Sequence, residues 1–151
     1  MDALREAHDL LRELPGVVEL CVEHPRGSFV KRRADGRIDV IAPLPSPYDY
    51  GFIPGRAGGD GDPLDAILYG PSHRAGARVR APVLGVVAFE DQGALDLKVV
   101  CGEGGMTMAR QSGLYLFFNA YAPFKRALAL ARGRRGRTAF SGVAVASRSR
   151  V

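Results

Sequence analysis

The chain has 151 residues, 46% of them hydrophobic and 25% charged, with 21 Lys or Arg against 16 Asp or Glu for a formal net charge of +5. Ordinary apolar content and the lack of any triplet or heptad repeat exclude collagen-like, coiled-coil and wholly disordered chains. No apolar run approaches the ~18 residues of a membrane span, no secretory h-region follows Met1, and Cys21 and Cys101 supply neither a disulfide framework nor a zinc ligand set, so a cytoplasmic single domain over residues 1–151 is expected.

Residues 3–14 put Leu4, Ala7, Leu10, Leu11 and Leu14 at helical spacing before Pro15-Gly16 stops the run. From Val17 the period shortens. VVELCVEH, SFVKRR and RIDVIA read as short strands, with Asp35-Gly36 as a hairpin turn between the last two. Three prolines within 43–49 make an extended loop, and a Gly-rich loop from Pro54 to Pro63 leads into the strand-like LDAILY. VRAPVLGVVAFE is a longer strand able to bend at Gly85, and ALDLKVVCG follows it across an acidic turn. Residues 107–132 are helical in pattern, with Pro123 expected to kink the helix or start a new turn. After the basic turn GRRGR, TAFSGVAVAS reads as a last strand. The sum is a mainly β fold of the α+β class, a small, partly closed, OB-like antiparallel β-barrel with one or two flanking helices.

Charge is unevenly distributed. Residues 1–103 hold all 16 acids and 12 bases, a balance of −4, while residues 104–151 hold nine bases and no acid. The basic third is either a solvated surface or a source of cations for an anionic substrate held at the acidic body.

The densest candidate for chemistry is Asp60-Gly61-Asp62-Pro63-Leu64-Asp65. Three carboxylates this close raise one another's pKa unless cations intervene, although Asp-Gly-Asp-Pro is also ordinary turn chemistry for a solvated loop. A second acidic turn, Asp91-Gln92-Gly93-Ala94-Leu95-Asp96, lies between strand-like runs, and Lys98 follows Asp96 by two positions, on the same face of a strand. Hard oxygen ligands from two turns suit magnesium, with substrate phosphate completing the shell, and Lys98 could neutralise a phosphate oxygen.

Together, Tyr50-Gly51-Phe52-Ile53-Pro54, the DGDPLD run and the Asp91…Asp96-Leu97-Lys98 element resemble family I soluble inorganic pyrophosphatases, and Glu23-His24-Pro25-Arg26-Gly27-Ser28 followed by Lys31 is similar to a further segment of that family. Over residues 17–33 and 48–101 the likeness is close; beyond them only Phe117-Phe118 and Tyr121 suggest the family's helix. The resemblance implies Mg2+-dependent hydrolysis of pyrophosphate to two phosphates, with Mn2+ or Zn2+ as alternative cations. It assigns the magnesium pair to Asp60, Asp65 and Asp96, and a further metal to Asp91. Asp62 would be the base on a water between the metals. Lys31 and Lys98 would grip phosphate oxygens, Tyr50 and Tyr121 would hydrogen-bond them, and Glu23 would belong to the outer shell. It also implies a homo-oligomer, a hexamer in prokaryotic relatives.

Several positions depart from the family pattern. Arg33 stands where a carboxylate is expected, Ser46 replaces a tyrosine, and the phosphate-binding arginine has only Arg37 as its nearest candidate. The lysine after the helix tyrosine is Ala122, and Lys125, four residues beyond Tyr121, could reach the same face if the helix survives Pro123. These departures leave open a diverged paralogue that binds phosphate or nucleotide, or hydrolyses another phosphoanhydride. Nucleic acid is not an expected partner, because the aromatics that would stack bases are not interleaved with the arginines of residues 132–137. His8, His24 and His73 read as surface or packing residues, and Cys21 and Cys101 as small core hydrophobes.

Overall fold

The computed structural model describes residues 2–27, 30–32, 38–41, 47–58 and 61–147, with 30–32 and 38–41 described by backbone alone. Among these residues the chain runs α1 (Ala3–Glu13), β1 (Val17–His24), β2 (Val30–Arg32), β3 (Ile38–Ile41), β4 (Asp49–Ala57), β5 (Pro63–Leu68), β6 (Arg78–Asp91), β7 (Ala94–Leu95), β8 (Lys98–Cys101), α2 (Met108–Ala131) and β9 (Ala139–Val145).

The first helix starts where Asp2 accepts the Arg5 N–H at 3.1 Å, and it turns Ala3 and Ala7 inward with Leu4, Leu10 and Leu11 packed beside them. The chain then enters the barrel. β1 pairs antiparallel with both β4 and β6, so the path β1–β4–β5–β8–β6 returns to its start as a closed barrel of five strands. The OB-like barrel with flanking helices is thus what the chain forms, with two differences from the expectation. It is fully closed, which leaves no free edge in the ring. And β5 runs parallel to β8, with Asp65 opposite Lys98 and Ile67 opposite Val100, so the barrel is mixed rather than wholly antiparallel.

The long strand β6 explains the closure. Residues 78–82 pair with β1, residues 85–90 pair with β9, and residues 83–87 pair with β8, with a register shift between Val83 and Gly85. While residues 83–87 pair with β8 within the ring, β6 thus closes the barrel on β1 with its first half and takes the added strand β9 along its second. Two smaller expectations are corrected. β4 continues to Ala57 through the stretch read as loop from Pro54, and the run after the acidic turn is broken into β7 and β8 at Asp96-Leu97. Helix α2, where a kink or a new turn was expected at Pro123, is one helix through that residue, which is exposed, as is Asn119, whose carbonyl it leaves without a helical partner. The Asp35-Gly36 turn lies outside the described residues.

Strand periodicity sorts the core into two sides. Ala66, Val86, Ala88, Val99 and Cys101 join the α1 side and the barrel interior, whereas Ile67, Val87, Phe89 and Val100 join Leu114, Phe118 and Ala122 of α2. Both faces of β5, β6 and β8 are covered, which is why these strands read as near-continuous apolar runs.

Gly51 permits a close approach of β4 to β1. A Cβ there would lie 1.9 Å from the Cys21 carbonyl oxygen, so a side chain must push β4 away from β1. Gly51→Ala is expected to lower stability by about 3 kcal/mol, read as a shift in urea midpoint with unchanged slope. An unshifted midpoint would show that the two strands do not approach this closely.

Candidate active site

The rows that pack against α2 do not remain apolar to their ends. Ile67 and Val100 belong to the α2-side core, and two residues earlier on the same strands stand Asp65 and Lys98; two residues after Phe89 on β6 stands Asp91. Helix α2 changes in the same direction, from Leu114 and Phe118 to Tyr121 and Lys125 at one-turn spacing. A polar cluster thus continues one edge of the hydrophobic core.

At its centre is Lys98, only 3% exposed, whose ammonium donates to Tyr50 Oη at 2.7 Å, to Asp96 Oδ2 at 3.1 Å and to Asp65 Oδ2 at 3.2 Å. It also lies 5.3 Å from the Tyr50 ring centroid and 5.8 Å from that of Phe89. Burial opposes its charge, but Asp96, Tyr50 and Asp65 outweigh that and hold the ammonium well above the ordinary lysine value. Burial raises Asp96 above the ordinary carboxylate value, with Lys98 opposing the rise and Asp65 adding to it. Tyr50 is held well above 10, first by burial and then by the Asp65 charge, so it stays a neutral hydroxyl.

Beside this group is a second one. Lys125 Nζ sits 3.1 Å from Asp91 Oδ2 and 6.0 Å from the Tyr121 ring centroid. Burial lowers the Lys125 value, while Tyr121 and Asp91 raise it further, for a net rise. Tyr121 stacks on Phe117 at 5.5 Å and touches Phe89 at 5.7 Å, so Phe89 is a wall common to both groups.

Six of the ten expected site residues therefore come together: Tyr50, Asp65, Asp96 and Lys98 by direct bonds, and Asp91 and Tyr121 around Lys125. Asp62 is exposed in the turn immediately before β5. Glu23 is half-buried at a bulge where β1 slips against β4, between the pairs Val22–Gly51 and His24–Tyr50. Lys31 lies on β2 opposite Val40 in the backbone register. Asp60, Arg33, Arg37 and Ser46 lie outside the described residues. Ala122, where a lysine was expected, is buried in the α2-side core at 5% exposure; Lys125, one turn on, occupies the site edge.

Two residues of this region gave no sequence signal. Asp49, 2% exposed, accepts the Arg26 N–H at 2.8 Å, the His73 N–H at 2.7 Å and the Ser72 hydroxyl at 3.2 Å, tying the start of β4 one residue before Tyr50 to two loops. Thr138, also 2% exposed, donates from its hydroxyl to Asp91 Oδ1 at 3.3 Å.

Chemically, the cluster brings hard carboxylate oxygens, two ammonium groups and the phenols of Tyr50 and Tyr121 together, which suits an oxyanion bearing cations better than an apolar ligand. Among the described residues no three His, Cys, Asp or Glu side chains converge as a metal-sized group. Asp65 and Asp96 nonetheless share one ammonium, leaving an excess negative charge that a divalent cation would offset.

A family model described as inorganic pyrophosphatase matches residues 20–111. The chain is 36% identical over 98 residues to an inorganic pyrophosphatase of Gluconobacter oxydans, covering 60% of this chain and 57% of that protein. It is 38% identical over 94 residues to one of Thermus thermophilus, covering 57% and 54%. It thus spans about half the length of the curated relatives it matches. The solved structure of the Thermus thermophilus inorganic pyrophosphatase superposes with a TM-score of 0.71 at 26% identity, covering 88% of this chain and 84% of that one. An inorganic pyrophosphatase from Coxiella burnetii superposes with a TM-score of 0.66 at 25% identity, covering 85% and 86%.

Proposed function

The chain belongs to the inorganic pyrophosphatase family, and from that premise we propose that it is an enzyme, a single domain over residues 1–151, that hydrolyses inorganic pyrophosphate to two phosphates with Mg2+. The observation that carries the reading is the buried Lys98 ammonium, bonded to Asp65, Asp96 and Tyr50 inside the matched segment.

The donor set fits a hard divalent cation, since it holds carboxylate oxygens without thiolate or imidazole. Asp65, Asp96 and Asp60 would hold a magnesium pair, and Asp91 a further ion; Mn2+ or Zn2+ could replace them. When bound, such cations supply positive charge against phosphate oxygens and make the attacking water more acidic. Asp62 takes the proton from that water. Lys98 and Lys31 donate to phosphate oxygens, Lys98 fixed in position by the two carboxylates and Tyr50. Tyr50, with a neutral hydroxyl, and Tyr121 hydrogen-bond phosphate oxygens, and Glu23 at the β1–β4 bulge belongs to the outer shell. Lys125 supplies the cation that Ala122 cannot, from one turn later in α2. Each donor favours the charge spread over the transferring phosphoryl oxygens.

The same reading includes a cytoplasmic homo-oligomer, hexameric by resemblance. Two free cysteines suit a reducing compartment, and among the described residues no helix is long and apolar enough to cross a membrane. Exposed Met108, Tyr115, Leu116 and Leu130 on α2 give apolar surface for self-association. Nucleic acid is not part of this reading.

A second reading, a diverged paralogue acting on another phosphoanhydride or only binding phosphate or nucleotide, draws on Ala122 being buried in the core. Phosphate release from pyrophosphate, tripolyphosphate and ATP at fixed Mg2+ separates the two. The expected outcome is preference for pyrophosphate, abolished by EDTA and restored by Mg2+. Activity confined to a different anhydride, or none on any, favours the second.

A further inference from the structure

The Asp91 carboxylate is held from two sides, and one of them comes from a residue 47 positions away that no motif marks. The β6–β9 register pairs Glu90 with Ala139 and Phe89 with Phe140, and its continuation puts Thr138 opposite Asp91. At 2% exposure, the Thr138 hydroxyl accepts the Gln92 N–H at 3.2 Å and donates its own proton to Asp91 Oδ1 at 3.3 Å. Lys125 holds the other oxygen, Oδ2, at 3.1 Å. A carboxylate accepts about four hydrogen bonds or ligands, so both contacts leave Asp91 able to take a cation.

The surroundings fix Thr138 in turn. Arg126 donates to its carbonyl oxygen at 2.9 Å, and the Gly93 N–H donates to the Arg137 carbonyl at 2.8 Å. Gly136 lies against the backbone of Gln92 so closely that a Cβ would meet its Cα at 2.4 Å. Gln92 has a φ of 55°, the left-handed region that a side chain takes at a cost, and its N–H is the one Thr138 accepts. The segment from Gly136 to Thr138 thus clamps the tip of the β6–β7 turn that carries Asp91.

We propose that Thr138 is a positioning residue for cation binding, its buried hydroxyl locking the Asp91 carboxylate in the orientation that a divalent ion requires. This rests on the reading of Asp91 as an oxygen donor to such an ion. Thr138 touches neither ion nor substrate; it acts by sparing Asp91 the loss of freedom on binding.

The test is a Mn2+ titration followed by electron paramagnetic resonance, on the whole chain with no substrate. Thr138→Val, which keeps the shape and deletes the hydroxyl, is expected to weaken Mn2+ binding about tenfold, and Thr138→Ser to restore it. In an Asp91→Asn background, which itself weakens binding, Thr138→Val should add no further loss, because both changes act through one carboxylate. Parent-like affinity in folded Thr138→Val, or an equal loss in the Asp91→Asn background, overturns the role of Thr138. Unchanged affinity in Asp91→Asn alone overturns instead the reading of Asp91 on which it stands. Should the valine variant not fold, Thr138→Cys takes its place, since a thiol keeps the size but donates weakly; parent-like affinity there also overturns the proposal.

Discussion

Lys98→Met is expected to lose both stability and turnover. The ammonium is 3% exposed and shared by Asp65 and Asp96, so its removal leaves two neighbouring carboxylates without their counter-charge. Removing one partner of a buried ion cluster costs roughly 3–5 kcal/mol, and removing a cation aimed at the transition state costs roughly 10²–10³ in rate. The pH dependence separates this electrostatic cause from a packing defect. The folded-state value of Lys98 is raised above 10.5, so its stabilisation is present below that pH and is lost only as pH climbs through the higher folded value. Asp96 is raised above 3.8, so stability linked to it is present below that pH and is lost as pH rises through its folded value. Without the ammonium, which opposes its rise, Asp96 favours the protonated form more strongly. Urea midpoints should therefore show the variant's deficit at its smallest near about pH 4 and at full size near about pH 7. A deficit that is flat with pH would mean that lost packing, not charge, is responsible.

The central group of the site was legible because its signals are local. Asp96 and Lys98 are two positions apart, and a strand period puts them on one face; Asp65 was marked by the resemblance of the DGDPLD run to the family's signature. Lys125 was accessible in the same way, through the one-turn step from Tyr121. What no local period carries is strand order. The parallel β5–β8 contact that sets Asp65 against Lys98 is a product of the ring, and the β6–β9 pairing that brings Thr138 to Asp91 comes from a strand added to β6 outside it. The bulge at Glu23 is likewise a property of two strands in register, invisible in either strand alone.

Charge arithmetic needed the fold for its meaning too. The acid-free segment after residue 103 is not simply a basic tail set against an acidic body. Lys125 faces Asp91, and Arg137 approaches Glu90 at 3.8 Å, while Arg132, Arg134 and Arg135 are exposed. Part of the basic third is therefore internal counter-charge for the carboxylate edge. Arg132, Arg134 and Arg135 precede the Gly136–Arg137 stretch that packs on Gln92 and Gly93, and stand in solvent.

Asp62→Asn is expected to lower kcat for pyrophosphate by roughly 10²–10⁴ while leaving the fold intact, because amide and carboxylate share a shape but only the carboxylate accepts a proton. Asp62 is exposed in the turn ahead of β5, where its carbonyl accepts the Gly58 N–H at 2.6 Å and Gly61 reverses the chain at a φ of +85°. The backbone thus holds the side chain outward, three residues before Asp65, and an exposed substitution should move stability by no more than about 0.5 kcal/mol. Loss of kcat with KM little changed identifies a group whose contribution is made in the transition state. Equal rates in parent and variant would remove Asp62 from the role of base. A loss of Mn2+ affinity as large as that of Asp65→Asn would instead move it among the residues that hold the cations.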